Sequence, residues 1–337
     1  MDDMIETVAV TVVEQTQPGE ARRVAITLAR QLSFDETTAG RLAIVVTEAA
    51  TNIVKHGGGG EIVFRPLQEN GERGIELLAL DKGPGIANLA ESLRDGVSRT
   101  GSAGTGLGAI TRLSDIHDIY SQPQRGTAVL ARIWQERETP HPAARVLVGA
   151  VSVAMPGQTT CGDGWSVAFN AGGAVVLVVD GLGHGLLAAE AAREAVRVFR
   201  KRPLDGPAVL QTVHDALRST RGAAGAVAHI DCARRVITYA GVGNIAGVLL
   251  SAAARESMAS QNGTLGHAVR TFTEFTYAWP EDAMMILHSD GLVTRWSLDP
   301  YPGISAHDAS LIAGVLYRDF NRGRDDTTVV VIKQLAA

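Results

Sequence analysis

The chain has 337 residues, enough for two ordinary domains, and 45% of them are apolar, enough for sizeable cores. A formal net charge of −5, with both signs interspersed, leaves no basic footprint for nucleic acid. Two distant cysteines, Cys161 and Cys232, make no disulfide framework, no run approaches the roughly 18 apolar residues that cross a bilayer, and the acidic start MDDMIETVAV is no secretory signal, so the expectation is a cytoplasmic chain without a membrane or nucleic-acid partner.

In chain order, Thr7 to Val13 alternates like a half-buried strand, and Pro18 and Glu20 suit the start of a helix carrying Val24, Leu28 and Leu32. Asp35 is the expected N-cap of a second helix running to about Lys55, which the glycines 57 to 60 end. Strands are expected over Ile62–Phe64 and Ile75–Leu80, joined by a turn near Asn70-Gly71, then a short helix over Ala109–Leu113 and strands over His117–Ser121 and Thr127–Trp134. Residues 135–143, QERETPHPA, have no periodicity and read as a linker between domains at 1–134 and 144–337. Beyond it the pattern predicts strands at Val146–Val153, Trp165–Asn170 and Val175–Val179, and helices at Leu186–Arg200 and Pro207–Ser219. Strands follow at Ala226–Asp231, Val236–Ala240, Ile245–Leu250, Phe272–Ala278 and Met284–His288, then a helix at Ala306–Phe320 and a last strand from Val329. Many strands with a few interposed helices give the fold class α+β.

Two groups of residues carry chemistry. In the first unit, Glu48 and Asn52 lie four apart and share a helix face. An Asn carbonyl oxygen can ligate Mg²⁺, and a Glu one turn away can take a proton from an attacking hydroxyl. Asp81 ends a strand before Gly83-Pro84-Gly85, where it can accept from an exocyclic amine beside room for a flat ring. Gly104, Thr105, Gly106, Leu107 and Gly108 open a helix and can turn N–H groups toward phosphates. In the second unit, the apolar run from Val175 ends in Asp180-Gly181, and Met284 to Leu287 leads to Asp290-Gly291. Asp325-Asp326 opens the last strand, and Asp163 precedes another. Four acidic stations at strand ends are the raw material of an oxygen-ligand metal site.

The ordered set TEAATNIVKHG, DKGPGI and GTGLG resembles the N box and the two glycine boxes of the GHKL ATPases, above all their serine-kinase branch of anti-sigma-factor and stressosome switch kinases. The resemblance covers nearly all of residues 1–134 and implies a GHKL-type α/β sandwich (Bergerat fold) that binds ATP. Asn52 would hold Mg²⁺, Asp81 adenine, and Gly104 to Gly108 the phosphates, with Glu48 as base. Thr127, in Arg125-Gly126-Thr127, would help hold the adenine pocket. Lys55 is either a phosphate contact or part of a polar helix end. No upstream helix carries a phosphoacceptor histidine, which argues against a histidine autokinase.

CGDGW, VVDGLGHG, HSDGL and GRDDTTVVV resemble, in order, the metal stations of the type-2C-like, sporulation-type serine phosphatases, whose fold is an α/β/β/α sandwich. The resemblance implies Mn²⁺ or Mg²⁺ on Asp163, Asp180, the Gly181 carbonyl, Asp290 and Asp325, with Asp180 bridging two ions and Asp326 nearby. His184 is either a structural residue or an acid. Cys161 lacks the arginine loop of a cysteine phosphatase. Together the two resemblances imply a kinase head and a phosphatase head acting on a STAS-domain antagonist protein, with a sigma factor as a further partner and a homodimer left open. The alternative is a phosphatase gated by an ATP-binding sensor that does not turn over.

Overall fold

The computed structural model describes residues 7–69, 71–92, 106–136, 145–170 and 172–335. They fall into two units, Met1–Pro140 with Leu298–Arg318, and His141–Ser297 with Asp319–Ala337. Residues 137–143 of the expected linker lie outside the described residues, as do Asn70, Gly104 and Thr105.

The first unit opens with β1 (Val8–Val12), α1 (Gln17–Gln31) and α2 (Glu36–Asn52). Pro18 sits in the first turn of α1, where its missing N–H costs nothing, and the Asp35 side chain caps α2 by accepting from Thr38 N at 2.7 Å. Where the sequence predicts α-helix to Lys55, the helix widens into a π-helical turn over Ile53–Gly57 and stops at Gly58, in the left-handed region. Next come β2 (Gly60–Glu69), β3 (Glu72–Asp81), a one-turn α3 (Leu89–Ser92), α4 (Gly106–Leu113), β4 (Ile116–Ser121) and β5 (Thr127–Trp134). The sheet order is β1-β2-β3-β5-β4, all antiparallel. Ile75, Leu77 and Ala79 of β3 and Val129, Ala131 and Ile133 of β5 face a core completed by α1, α2 and α4.

The second unit comprises β6 (Val146–Val153), β7 (Asp163–Asn170), β8 (Gly173–Gly181), α5 (Leu186–Lys201), α6 (Val209–Ala216), β9 (Ala223–Asp231), β10 (Val236–Val242), β11 (Ala246–Leu250), β12 (Arg255–Met258), β13 (Phe275–Ala278) and β14 (Met284–His288). A helix, α7 (Ala309–Phe320), and β15 (Thr327–Gln334) complete the chain. Two five-stranded antiparallel sheets form, β13-β10-β9-β8-β7 and β12-β11-β14-β15-β6. The apolar run of β8 is continuous because it serves two cores. Val176 and Val178 point between the sheets, while Val175, Leu177 and Val179 lie under α5 and α6.

The sequence reading keeps the whole of 144–337 together, whereas Leu298–Arg318, with most of α7, groups with the first unit. The physical reason lies in β3, whose residues Gly74 to Asp81 are all buried, so its second face also needs cover. A Cβ on Gly314 of α7 would lie 3.2 Å from Leu80 and 3.3 Å from Leu78, side chains of that second face. Glu76, also on it, accepts from Arg65 Nε at 2.8 Å and Arg132 Nε at 2.7 Å, and Arg132 closes a two-pronged pair on Asp308 at 2.8 and 2.9 Å. Burial alone would raise the Glu76 carboxyl, but the two guanidinium groups outweigh it and hold it down to about 2.

Candidate functional site

In the first unit the end of α2 and the start of α4 face each other. A Cβ on Gly106 would come within 3.0 Å of Glu48 Oε2 and 3.1 Å of Asn52 Oδ1, so the glycine lets the α4 terminus lie close against this pair. Leu107 packs toward the core and Gly108 is buried within α4. Asp81 is buried at the end of β3, and its Oδ1 accepts from Gly83 N at 2.9 Å and Thr127 N at 3.2 Å. Among the described residues nothing donates to Oδ2. Burial pushes this carboxyl upward, against the pull of those two N–H groups, Arg318 and His56. Gly83 fits tightly over Gly57, and Gly85 takes a φ of +67° where a Cβ would collide with the Gln122 carbonyl. Thr127 Oγ1 lies 2.9 Å from Ser121 Oγ. Lys55 and His56 are exposed on the π-helical turn. Glu48, Asn52, Gly106 and Asp81 thus sit on adjoining elements of one unit, a carboxylate acceptor at one end and a polar pair against a helix N-terminus at the other.

In the second unit the acids gather at one end of the sheets. Asp163 and Asp180 are direct partners in the β7–β8 register. A cleft of about 240 Å³ is lined by Asp180, Leu182, Gly183, His184, Ala224, Asn244, Asp290, Arg324 and Asp325. Asp163 is buried and not part of that lining; its Oδ2 accepts from Ser289 Oγ at 2.6 Å, and Ser289 Oγ in turn accepts from Thr328 N. Gly181 ends β8, paired with Ala223. Asp326 is a loop staple, accepting from Met155 N at 2.7 Å and Gly162 N at 2.8 Å.

The electrostatics follow from crowding. Burial, with Asp326 and Asp325 nearby and Ser289 and Thr328 pulling the other way, pushes Asp163 up to about 7. Burial plus repulsion from Asp163, Asp290 and Asp325 pushes Asp180 up to about 9. Asp325 is raised by burial first and by Asp290 and Asp326 after it. In such a cluster the crowded, buried acids raise one another's affinity for protons and equally favour a cation among them. Its oxygen-only donors suit a hard divalent ion, although among the described residues no three His, Cys, Asp or Glu side chains already converge as ligands.

Asn244 is a site residue that sequence reasoning missed. Its Nδ2 donates to Asp290 Oδ2 at 2.8 Å and lies 3.4 Å from Asp180 Oδ2, tying two stations together. The signal was its position in AGVGN, just past the end of a strand. Arg324 adds a cation to the cleft wall. Cys161 is no thiolate nucleophile, because burial and the charges of Asp163 and Asp326 push its thiol well up.

Fold and sites define a two-part chain, an α/β unit with a glycine-lined carboxylate acceptor joined to an acid-lined β-sandwich. The histidine kinase-like ATPase domain family matches residues 12–133, and the stage II sporulation protein E family matches residues 170–334. The serine/threonine-protein kinase RsbT of Bacillus subtilis (strain 168) is 32% identical over 114 residues, 34% of this chain and 86% of that protein. The phosphoserine phosphatase RsbX of the same organism is 26% identical over 140 residues, 40% of this chain and 69% of that protein. A chain from a structure of the bacterial stressosome, a modular system adapted to control secondary messenger signalling, superposes at a TM-score of 0.52 with 28% identity, over 56% of this chain and 99% of that one. RsbX in complex with magnesium shares the fold, at a TM-score of 0.50 and 21% identity, over 59% of this chain and 98% of that one. The chain belongs to the histidine kinase-like ATPase family through its first unit, and its second unit is a sporulation-type, type-2C-like serine/threonine phosphatase domain. It is a regulator of the partner-switching type.

Proposed function

We propose that the chain carries two opposed activities on one protein substrate, a small STAS-type antagonist, phosphorylated on serine by the first unit and dephosphorylated by the second. The observation that supports the phosphatase half is the cleft in which Asp180, Asp290 and Asp325 meet Asn244 and Arg324. Divalent ions, when bound, supply Lewis acidity and lower the pKa of water. Asp180, Gly181, Asp290 and Asp325 are the residues that would hold them, with Asp163 behind Asp180 as a further oxygen donor. Arg324 offers its guanidinium to the phosphoryl oxygens of the incoming phosphoserine. In the kinase half, Glu48 takes the proton from the substrate serine hydroxyl. Asn52 would hold Mg²⁺, while Asp81 and Thr127 orient the adenine. Gly104 to Gly108 would line the phosphates, with Lys55 at the edge.

The test is steady-state phosphoserine on candidate STAS proteins supplied with ATP, with the wild-type chain, Asp180→Asn and Glu48→Ala side by side. Phosphate should accumulate with Asp180→Asn and be stripped by Glu48→Ala. Equal levels in all three would remove the opposed-pair reading for that substrate. A second reading, ATP binding that gates the phosphatase without turnover, is favoured by one specific observation. The segment Leu298–Arg318 lies in the chain between Asp290 and Asp325, yet groups with the nucleotide unit. Under that reading the Glu48→Ala chain keeps an ATP-dependent change in phosphatase rate.

A further inference from the structure

The N box and glycine boxes leave one buried cation beside the nucleotide site unexplained. Arg318, on the last turn of α7, is 9% exposed, and its Nη1 donates to the main-chain carbonyl of Asp81 at 3.0 Å. A guanidinium stays charged when buried, so it is placed only where the surroundings fix it. They do so at several points. Asp118 accepts from Asp308 N at 2.7 Å and lies 2.8 Å from His307 Nδ1, pinning the start of α7. Arg132 grips Asp308, and Tyr317 donates to Glu61 at 2.8 Å next to Arg318 itself.

The carbonyl that Arg318 holds is the one from which the chain leaves β3 and turns through Lys82 to Gly83. Gly126 backs so closely onto that carbonyl that a Cβ there would collide with it. Asp81 is therefore fixed from two sides, its carbonyl by Arg318 and its carboxylate Oδ1 by Gly83 N and Thr127 N. Without the Arg318 bond the Asp81 backbone and the turn that carries Gly83 N lose one of their anchors, and the carboxylate that Gly83 N and Thr127 N hold moves with them.

We infer that Arg318 is a positioning residue for the nucleotide site, holding the Asp81 turn so that Oδ2 is aimed at the exocyclic amine of a purine. This rests on the reading of Asp81 as the adenine acceptor. It adds that the selectivity of the site is completed by a residue from the stretch matched by the phosphatase family, outside the nucleotide motifs.

The test uses the full-length chain and competition of ATP and inosine triphosphate against a ribose-labelled fluorescent ADP. Inosine carries a carbonyl where adenine carries the amine. Arg318→Ala should lower ATP affinity about tenfold, as expected for a lost hydrogen bond from a charged group, and leave inosine triphosphate nearly unchanged, so the ratio between them falls. Arg318→Lys should recover part of the ratio. An unchanged ratio, with both affinities falling together alongside the thermal midpoint, would make Arg318 a helix anchor only and overturn the inference. If Arg318→Ala does not fold, Arg318→Lys carries the same comparison, with a ratio lowered about threefold in support and an unaltered one against. Asp81→Asn separates the two levels. If it leaves ATP affinity intact, the adenine assignment itself fails; if it weakens ATP while both Arg318 variants keep the wild-type ratio, only the positioning role falls.

Discussion

The two sites solve the problem of a buried carboxylate in opposite ways. Asp81 is held by neutral main-chain donors and one guanidinium, and its turn is seated among glycines that let backbone pack on backbone. Nothing in that arrangement waits for a ligand to balance charge. The acids of the second unit face one another, tied by Asn244, with Asp163 and Asp180 pushed up to about 7 and about 9. The first site is organised in advance, and the second is frustrated until a cation arrives. Metal binding at the second site should therefore be strongly pH-linked through several acids, whereas at the first site any linkage comes from one raised carboxyl, Asp81.

The largest effect should come from breaking the frustrated site. Asp180→Asn is expected to lower phosphoserine hydrolysis by well over roughly 100-fold, since even outer partners of metal ligands cost about 10–100-fold, while ATP-dependent labelling continues. Phosphate release assayed in Mn²⁺ or Mg²⁺, with chelation as control, checks this; wild-type turnover would remove Asp180 from the site. Next, Asp81→Asn should weaken ATP by roughly 1–3 kcal/mol through partial loss of the acceptor pairing, read by calorimetric titration.

Asn244→Ala sharpens the comparison within the second site. It removes the tie between Asp290 and Asp180 and should loosen Mn²⁺ by about tenfold, measured by titrating the metal into full-length protein. The same titration repeated from pH 6.5 to 9 carries the linkage. Carboxyls held near 7 and 9 bind protons that the metal must displace, so apparent affinity should rise with pH across that window, with protons released on binding. A flat profile would mean that the acids are already ionised.

The smallest effect concerns Glu61. Burial raises its carboxyl, and the hydrogen bond from Tyr317 recovers only part. A folded value above the unfolded one makes the ionised form cost stability once the pH exceeds the unfolded value. Glu61→Gln should then raise the thermal midpoint at pH 8 by roughly 1–2 °C, and the gain should fade as the pH drops through the unfolded value, where the wild-type carboxyl is protonated in both states. Scanning calorimetry at pH 8 and pH 4 checks the sign.

Much of this was legible in residue order. Short-range rules place helices and strands, because caps, glycine stops and apolar periods act within a few residues. They recover Asp35 as a cap, the apolar strand that becomes β8, and the ordered motifs that carry Asp81, Asp180 and Asp290. They miss β12, an exposed edge strand of four residues without an apolar run, and α3, a single turn. They also miss the π-helical turn after Asn52, where local helix propensity continues unbroken.

What the sequence by itself determined is which faces must be buried, and it singled out the candidate residues for the chemistry. In the stretch Ile75–Leu80 only Glu76 is polar, so apolar side chains stand on both faces of β3 and both faces need cover, since alternate side chains point to opposite faces. Only the tertiary structure decided what provides that cover, a helix more than two hundred positions later in the chain. It likewise decided that Asn244 ties Asp290 toward Asp180, that Asp326 staples a loop, and that Arg318 reaches the Asp81 carbonyl. An amphipathic period says that a face is apolar, but any apolar face of the right shape can meet it. The choice among them is made by packing and by pairing buried charges such as Glu76, Arg132 and Asp308, which are terms of the whole chain rather than of any segment.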